Sequence, residues 1–482
     1  MSNTSGYRDV EADYFEKRRL RPYAKSIHLW ALGVGAVISG DFFGWNFGLA
    51  AGGFGGLLIA TIIITVMYIG LCFSIAEMSP AMPHAGGAYS FARSAMGPWG
   101  GYITGLAENM EYILTPAVIV VGIGGYLGAI FGTSPELAPA WWAAAYLVFV
   151  SLNIWGVELS FRFSLIITFL SLAILAVFYV GAIAHVDIET WAMNIVPESG
   201  ETEFLPKGPK GILAALPFAI WFYLAIEELP LAAEEAVDPK RDMPRGILLG
   251  LLTLVVCAFL TLILNTAISP GAAALSTSEE PLFDGLKTIF GDGLGAKALA
   301  LVAVCGLVAS FHTIIYAYGR QIFSLSRAGY MPTWLSLTHP KRNTPHVALI
   351  VGAAIGYAVA WTIHSLGPEH PVGAVLLNMA VFGALISYML QMVAFILLRR
   401  NMPDMERPYR SPFGIAGAVI ALIICAVSLV ALFIVDPIYQ KVVIGAAIWF
   451  TIGLVLFALF GKNNLILSPE EQFAQAQDNR EG

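Results

Sequence analysis

Long apolar runs divide this sequence of 482 residues from end to end. About twelve can be counted, at approximately residues 27–53, 56–78, 98–131, 140–156, 160–184, 211–236, 246–269, 294–327, 345–366, 371–399, 413–434 and 440–460. A helix needs roughly 20 apolar residues to cross the hydrocarbon core of a bilayer. Charged residues make up only 12% of the chain, about half the share that soluble domains carry. The runs therefore predict an all-α membrane protein with twelve transmembrane helices, here called spans 1 to 12.

Lys and Arg are distributed unevenly over the connections between the spans. Of the 26 Lys and Arg residues, only five fall on the side opposite the N-terminus: Lys207, Lys210, Lys287, Lys297 and Lys441. Cytoplasmic connections of membrane proteins are enriched in positive residues. This bias, together with an even number of spans, predicts that both termini are cytoplasmic.

Span 1 carries polar residues at its centre. The stretch Val37–Trp45 (VISGDFFGW) contains Ser39, Gly40 and Asp41 in succession. A carboxylate at that depth in a bilayer is costly and therefore marks a functional candidate. Because Ser, Gly and Asp also disfavour helix interiors, the stretch predicts a helix interrupted halfway across the membrane.

Span 6 contains a second set of helix breakers. The stretch Ala215–Pro230 (ALPFAIWFYLAIEELP) has two prolines and the acidic pair Glu227 and Glu228. Broken helices at matching positions of two halves are typical of inverted-repeat transporters. Since spans 1 and 6 are five apart, we predict a five-plus-five inverted repeat in which helices 1 and 6 are broken.

This interpretation divides the chain into four parts. They are a cytoplasmic N-terminal tail (1–26), a ten-helix transport core (27–399, with repeat units 27–184 and 211–399), two additional transmembrane helices (413–460) and a cytoplasmic C-terminal tail (461–482). The last residues, 471–482, are polar and are expected to be disordered.

Several spans place ionisable or aromatic residues at one depth. With a rise of about 1.5 Å per residue, positions 10–14 residues into a span lie near the midplane. The residues near this level are Asp41, Glu108, Glu111, Trp221, Glu227 and His312. No Lys or Arg occurs near the middle of any span, so a bound cation is the expected counter-charge: substrate, Na⁺ or H⁺.

Each of these residues also has a purely structural interpretation. Asp41 fits a helix cap at the break, and Glu111 fits a neutral acid bonded to a backbone carbonyl. Trp221 and Tyr223 fit plain packing. Structural roles stay open for the other buried groups, Glu108, Glu227 and His312.

Four stretches resemble the amino acid–polyamine–organocation (APC) superfamily. They are Ala76–Ser79 with Gly86–Tyr89, Asn153–Gly156, Ala233–Pro244 (AEEAVDPKRDMP) and Gly319–Arg320 with Ser326–Pro332. The likeness covers nearly the whole chain. It implies the five-plus-five inverted-repeat fold with alternating access.

Within that superfamily, Ile38–Gly48 resembles the ethanolamine permeases. Amino acid carriers have Gly-Ser-Gly at the span 1 break, where free backbone amides hold the substrate carboxylate. Here the sequence is Ser39-Gly40-Asp41, and Asp41 would repel a substrate carboxylate and stand in its place. The resemblance thus implies import of ethanolamine or a similar small amine across the bacterial inner membrane by a secondary active transporter.

The resemblance also suggests individual roles. The expected substrate-binding residues are Ser39, Gly40, Asp41, Glu111, Trp221, Tyr223 and Ala225. The expected gating or proton-coupling residues are Glu108, Glu227 and His312. Ala225 stands where the family has glycine, which predicts a tighter break in span 6.

Two alternatives stay open. One is an amino acid or polyamine permease or exchanger of the same superfamily, and the more distant one is a membrane sensor that does not transport. No nucleophile–base pair and no metal-ligand spacing occur, so we expect neither an enzyme nor a cofactor or metal. The expected partners are the lipid bilayer, a cationic amine and H⁺ or Na⁺ as coupling ion, but no nucleic acid.

Overall fold

The computed structural model describes residues 7–278, 280–291, 294–367, 372–435 and 438–474. Within these ranges the regular structure is helical, and strand-like pairing is limited to one isolated bridge between Ala24 and Ala236. The all-α prediction is thus confirmed. Parts of the two predicted terminal tails, residues 1–6 and 475–482, lie outside the described residues.

Fifteen α-helices follow one another within the described ranges. They are α1 (Ser26–Val37), α2 (Ser39–Phe42), α3 (Phe47–Ala81), α4 (Gly87–Phe131), α5 (Ala138–Trp155), α6 (Val157–Ala182), α7 (Gly208–Ala219), α8 (Pro239–Thr266), α9 (Gly271–Leu275), α10 (Pro281–Phe290), α11 (Leu294–Arg327), α12 (His346–Leu366), α13 (Val372–Asn401), α14 (Gly414–Val435) and α15 (Ile438–Leu456). Short 3-10 helices cover Glu16–Arg18, Pro135–Leu137, Ile183–His185, Ile220–Phe222, Ile226–Glu235 and Thr333–Ser336. Single π-helical turns cover Ile188–Ala192 and Phe457–Gly461.

These helices account for the predicted spans. Ten helical segments of the described residues are long and apolar enough to cross a membrane, and Ser26–Phe42 forms a shorter apolar helix. The helix α11, with 34 residues, supplies span 8. The chain is therefore a multi-pass helical membrane protein.

Glycine kinks divide two of the longest helices. Gly53 (φ 68°) separates the end of span 1 from span 2 within α3, and Gly97 (φ 74°) separates a short, mostly buried helix from span 3 within α4. Only glycine adopts such angles without strain, so each kink redirects the chain without a loop.

The broken helices lie in the interior, and the last two spans lie at the periphery. Helix α1 packs against α6, α8 and α11, whereas α14 packs against α3 and α13. The exposed apolar residues of α14 follow helical spacing: Ile420, Ile423, Val427 and Val430. This stripe is the surface expected of a helix that faces lipid.

The C-terminal segment departs from expectation. Residues 469–474 are helical, and Glu470 and Glu471 are fully buried. The expected disorder is therefore wrong for residues 471–474, because these acids find basic partners far away in the sequence.

Candidate functional site

The predicted interruptions of spans 1 and 6 are both present. In span 1, α1 ends at Val37 and is followed by the single-turn helix α2 and a non-helical stretch up to Asn46. In span 6, α7 ends at Ala219 and continues through 3-10 turns. Ala225 has a left-handed backbone (φ 84°) directly before the 3-10 helix Ile226–Glu235. The expected tight break thus falls at Ala225.

The two breaks pack directly against each other. A Cβ atom on Gly40 would overlap the backbone carbonyl oxygen of Trp221. The position of a Cβ on Gly44 lies 3.4 Å from the Trp221 indole, and the rings of Phe43 and Trp221 are 6.4 Å apart. The structure therefore brings the predicted residues of span 1 together with Trp221.

Asp41 is an isolated carboxyl group at this junction. Its side chain is fully buried, and neither carboxylate oxygen has a hydrogen-bond partner in the described part of the chain. The Thr261 hydroxyl lies beside it but bonds to the hydroxyl of Tyr179 at 2.7 Å. Burying an unpaired carboxylate carries a large desolvation cost, so this position requires a cation or a proton.

Glu111 and Glu227 form a second acidic site, surrounded by tyrosines. Glu227 accepts hydrogen bonds from the hydroxyls of Tyr388 (2.7 Å) and Tyr112 (3.3 Å). Tyr68 in turn donates to the Tyr388 hydroxyl at 3.2 Å. Glu111 faces Glu227, and its oxygens have no hydrogen-bond partner within the described ranges. We call these five residues the acid–tyrosine cluster.

Tyr223 lies between the two acidic sites. Its hydroxyl is 2.6 Å from the Thr65 hydroxyl, and its ring centroid is 5.0 Å from that of Tyr68. It also interacts electrostatically with Asp41. Asp41 has Thr261 beside it, whereas Glu111 faces Glu227, so the two carboxyl groups expected to share an ammonium have different polar neighbours.

Two further buried acids accompany the cluster. Glu108, one turn before Glu111, accepts a hydrogen bond from Gln321 Nε2 at 2.8 Å. Glu228 is 1% exposed, and its oxygens lack a hydrogen-bond partner among the described residues. No ion pair to Lys or Arg involves any of these membrane-embedded acids in the parts of the chain described.

His312 belongs to a different polar group. Its ring nitrogens lie 3.2 Å from Asn153 Nδ2 and 3.1 Å from the Ser160 hydroxyl. These contacts join spans 4, 5 and 8, and the rings of Phe149 and Phe163 flank the histidine. The structure does not bring His312 to the acid–tyrosine cluster, which favours its structural interpretation.

Sequence reasoning missed the hydrogen-bonding partners of these acids. Tyr68, Tyr112 and Tyr388 lie in apolar runs, where a tyrosine resembles ordinary packing. Of these three tyrosines, only Tyr112 is adjacent to an acid in the sequence, where it directly follows Glu111.

The chain is similar to known permeases and transporters. The family model described as "Amino acid permease" matches residues 28–466. An uncharacterized transporter of Rhizobium meliloti is 30% identical over 425 residues, which cover 87% of this chain and 88% of that protein. A branched-chain amino acid permease of Bacillus subtilis is 25% identical over 480 residues (95% and 96%). A methylthioribose transporter of Bacillus subtilis is 24% identical over 457 residues (91% and 93%).

Proposed function

Because the chain belongs to the amino acid permease family of membrane transporters, we propose that it imports ethanolamine or a similarly small amine by alternating access. The observation that carries this proposal is the unpartnered carboxyl group of Asp41 at the junction of the two breaks. A primary ammonium has three donors and a full positive charge, which match two free carboxylate oxygens in a site without Lys or Arg. A substrate carboxylate would meet like charge there.

The surroundings of Asp41 support a very small substrate. Trp221 and Tyr223 are at most 7% exposed and would cover the bound ammonium, with a cation–π contact from the indole. Polar groups at the breaks, on Ser39, Gly40 and Ala225, would hydrogen-bond the substrate hydroxyl. Because Gly40 and Gly44 lie close against Trp221, we expect a substrate of few heavy atoms.

The acid–tyrosine cluster fits the coupling step. Glu111 and Glu227 face each other and have no basic partner among the described residues, so one proton shared between them would lower their repulsion. We propose that substrate binding at Asp41 is linked to this proton through Tyr223. Sodium stays an alternative coupling ion: the hydroxyls of Ser310 and Thr313 donate to the carbonyl oxygens of Gly35 (3.0 Å) and Ala309 (2.9 Å), and their oxygens keep lone pairs that are able to ligate a cation.

Uptake into proteoliposomes tests this proposal. Labelled ethanolamine should accumulate under an inward proton gradient without sodium, and unlabelled leucine should not compete. Asp41→Asn and Asp41→Gly should each reduce uptake about 100-fold, because a desolvated charge–charge contact is lost. Glu136→Gln, an exposed carboxylate on the surface, serves as the matched control and should transport as the parent does. Equal ethanolamine uptake by Asp41→Gly would refute the assignment.

Transport of a diamine or an amino acid is the second candidate. Two separate acidic sites, Asp41 on one side of Tyr223 and Glu111 with Glu227 on the other, suit a molecule with two ammonium groups. The similarity to the branched-chain amino acid permease of Bacillus subtilis favours amino acids instead. Competition by putrescine that exceeds competition by unlabelled ethanolamine would favour the diamine, and competition by leucine would favour the amino acid.

A further inference from the structure

The C-terminal segment, residues 462–474, folds back onto the face of the molecule where the first and last described residues, Tyr7 and Ala474, lie. The backbone N–H of Ile466 donates to Ala328 O at 2.9 Å, and that of Arg8 donates to Leu465 O at 2.7 Å. Phe473 contacts the ring of His84, with centroids 5.7 Å apart. The segment is therefore attached to the connection between spans 2 and 3, to the end of span 8 and to the N-terminal residues.

Glu470 is the first of two buried acids in this segment. It accepts hydrogen bonds from the Ser324 hydroxyl (2.7 Å) and Arg327 Nη2 (2.5 Å). The same Arg327 nitrogen also pairs with Glu234 at the end of the broken span 6. One guanidinium thus connects span 8, span 6 and the C-terminal segment.

Glu471 is the second buried acid of this segment, and it has its own set of hydrogen-bond partners. It accepts hydrogen bonds from Arg93 Nε (2.7 Å), the Tyr7 hydroxyl (2.8 Å) and the Tyr330 hydroxyl (2.9 Å). The side chain of Glu471 is 0% exposed and that of Arg93 is 6% exposed. Charge-assisted hydrogen bonds of this kind are stronger than neutral ones.

These contacts fall on both predicted repeat units. Arg93 and His84 belong to the first unit, whereas Ser324, Arg327 and Tyr330 belong to the second. In an inverted-repeat carrier, access to one side opens when the parts of the core move relative to each other. A segment bonded to both units on one face resists that movement.

We propose that Glu470 and Glu471 are gate residues: they clamp the two units together on the face that carries Tyr7 and Ala474, and their contacts break when that face opens. The inference rests on the alternating access of the proposed function but does not depend on the substrate. It assigns a transport role to residues outside the ten-helix core. The gate is separate from Asp41 and from the acid–tyrosine cluster.

Cysteine accessibility in the full-length protein tests this gate. Ala232 lies in the broken span 6 and is 0% exposed, so Ala232→Cys reports opening of this face. A membrane-impermeant maleimide is applied to this face in reconstituted vesicles, and mass spectrometry measures modification at position 232. Glu470→Gln with Glu471→Gln should accelerate labelling about tenfold or more, because several bonds to charged groups are weakened together. The control Glu16→Gln, at an exposed carboxylate, should leave the rate unchanged.

Two single substitutions control for misfolding as a cause of faster labelling. Tyr7→Phe and Tyr330→Phe keep both carboxylates and each remove one hydrogen bond to Glu471, so each should accelerate labelling by a smaller factor. Unchanged or slower labelling in a double variant that still elutes as a folded monodisperse protein would overturn the gate. Accelerated labelling without any ethanolamine uptake by the parent would support the gate and refute the substrate instead.

Discussion

At the residue scale, Ala225 has a backbone conformation that favours glycine. Its φ of 84° is the left-handed region, which costs an L-residue about 1–2 kcal/mol. Two residues later, Glu227 makes its bonds to Tyr388 and Tyr112. The left-handed backbone at Ala225 therefore sets the direction in which the Glu227 side chain enters the acid–tyrosine cluster.

Substitution of Ala225 separates strain from side-chain size. Ala225→Gly should keep or raise the free energy of unfolding by up to ~1 kcal/mol, because relief of the left-handed strain slightly exceeds the added entropy of the unfolded chain. Ala225→Val should lower it by about 2 kcal/mol or more, since a β-branched residue is a genuine outlier there. Thermal unfolding in detergent measures both, with the exposed Ala143→Val as control. If Ala225→Val is as stable as the parent, the backbone at this position is not strained.

From the sequence, the burial of these acids is easier to predict than the side chains that they contact. Asp41 and Glu227 are conspicuous as charges inside apolar runs, so their burial is predictable. Depth along a helix, however, does not determine the direction of a side chain around its axis. For that reason the sequence predicts that Asp41 and Glu111 share one ammonium, whereas in the structure the two acids have different polar neighbours.

At the element scale, the two broken helices depend on close backbone approach. Gly40 has no side chain, and Trp221 presents its backbone carbonyl at that point. Hydropathy predicts where each span lies, and clustered Gly, Ser and Asp predict where span 1 is interrupted. Neither property indicates that the interruptions contact each other, since that contact joins residues about 180 positions apart.

Gly40→Ala tests this contact. The added methyl group would overlap a carbonyl oxygen that cannot rotate away, so the breaks must separate. We expect uptake to fall about 100-fold, or folded protein to be lost, in reconstitution and size-exclusion measurements. Gly125→Ala, in α4, is the matched control because nothing lies within 4 Å of its Cβ position and alanine favours helices. Parental uptake by Gly40→Ala would show that the breaks do not need this approach.

At the scale of the whole molecule, several buried ion pairs lie on the face that carries Tyr7 and Ala474. Arg320 pairs with Glu235 at 2.9 Å, and both side chains are 0% exposed. Arg327 and Arg93 bind the C-terminal acids on the same face. A polar tail after the last apolar run is typical of disorder, and its order here arises from partners 143 and 378 residues away, which local sequence cannot indicate.

The protonation of Glu470 links this face to pH. Burial alone would raise the pKa of Glu470, but the Arg327 guanidinium beside it holds that pKa at about 2, compared with 4.5 for an ordinary glutamate. Because the folded pKa is below the unfolded one, the stabilising contribution is complete above about pH 4.5. It is lost progressively as the pH falls towards 2.

Thermal unfolding of the parent and of Glu470→Gln between pH 3 and pH 7 measures this contribution. The parent should be more stable by about 3 kcal/mol, to order of magnitude, with a constant difference above pH 5 that shrinks below pH 4.5. Asp13, about half exposed beside Lys17, also has a lowered pKa, and Asp13→Asn should show no measurable difference because solvent screens that pair. A difference that grows as the pH falls would mean that the acid form of Glu470, rather than its pairing with Arg327, holds the segment in place.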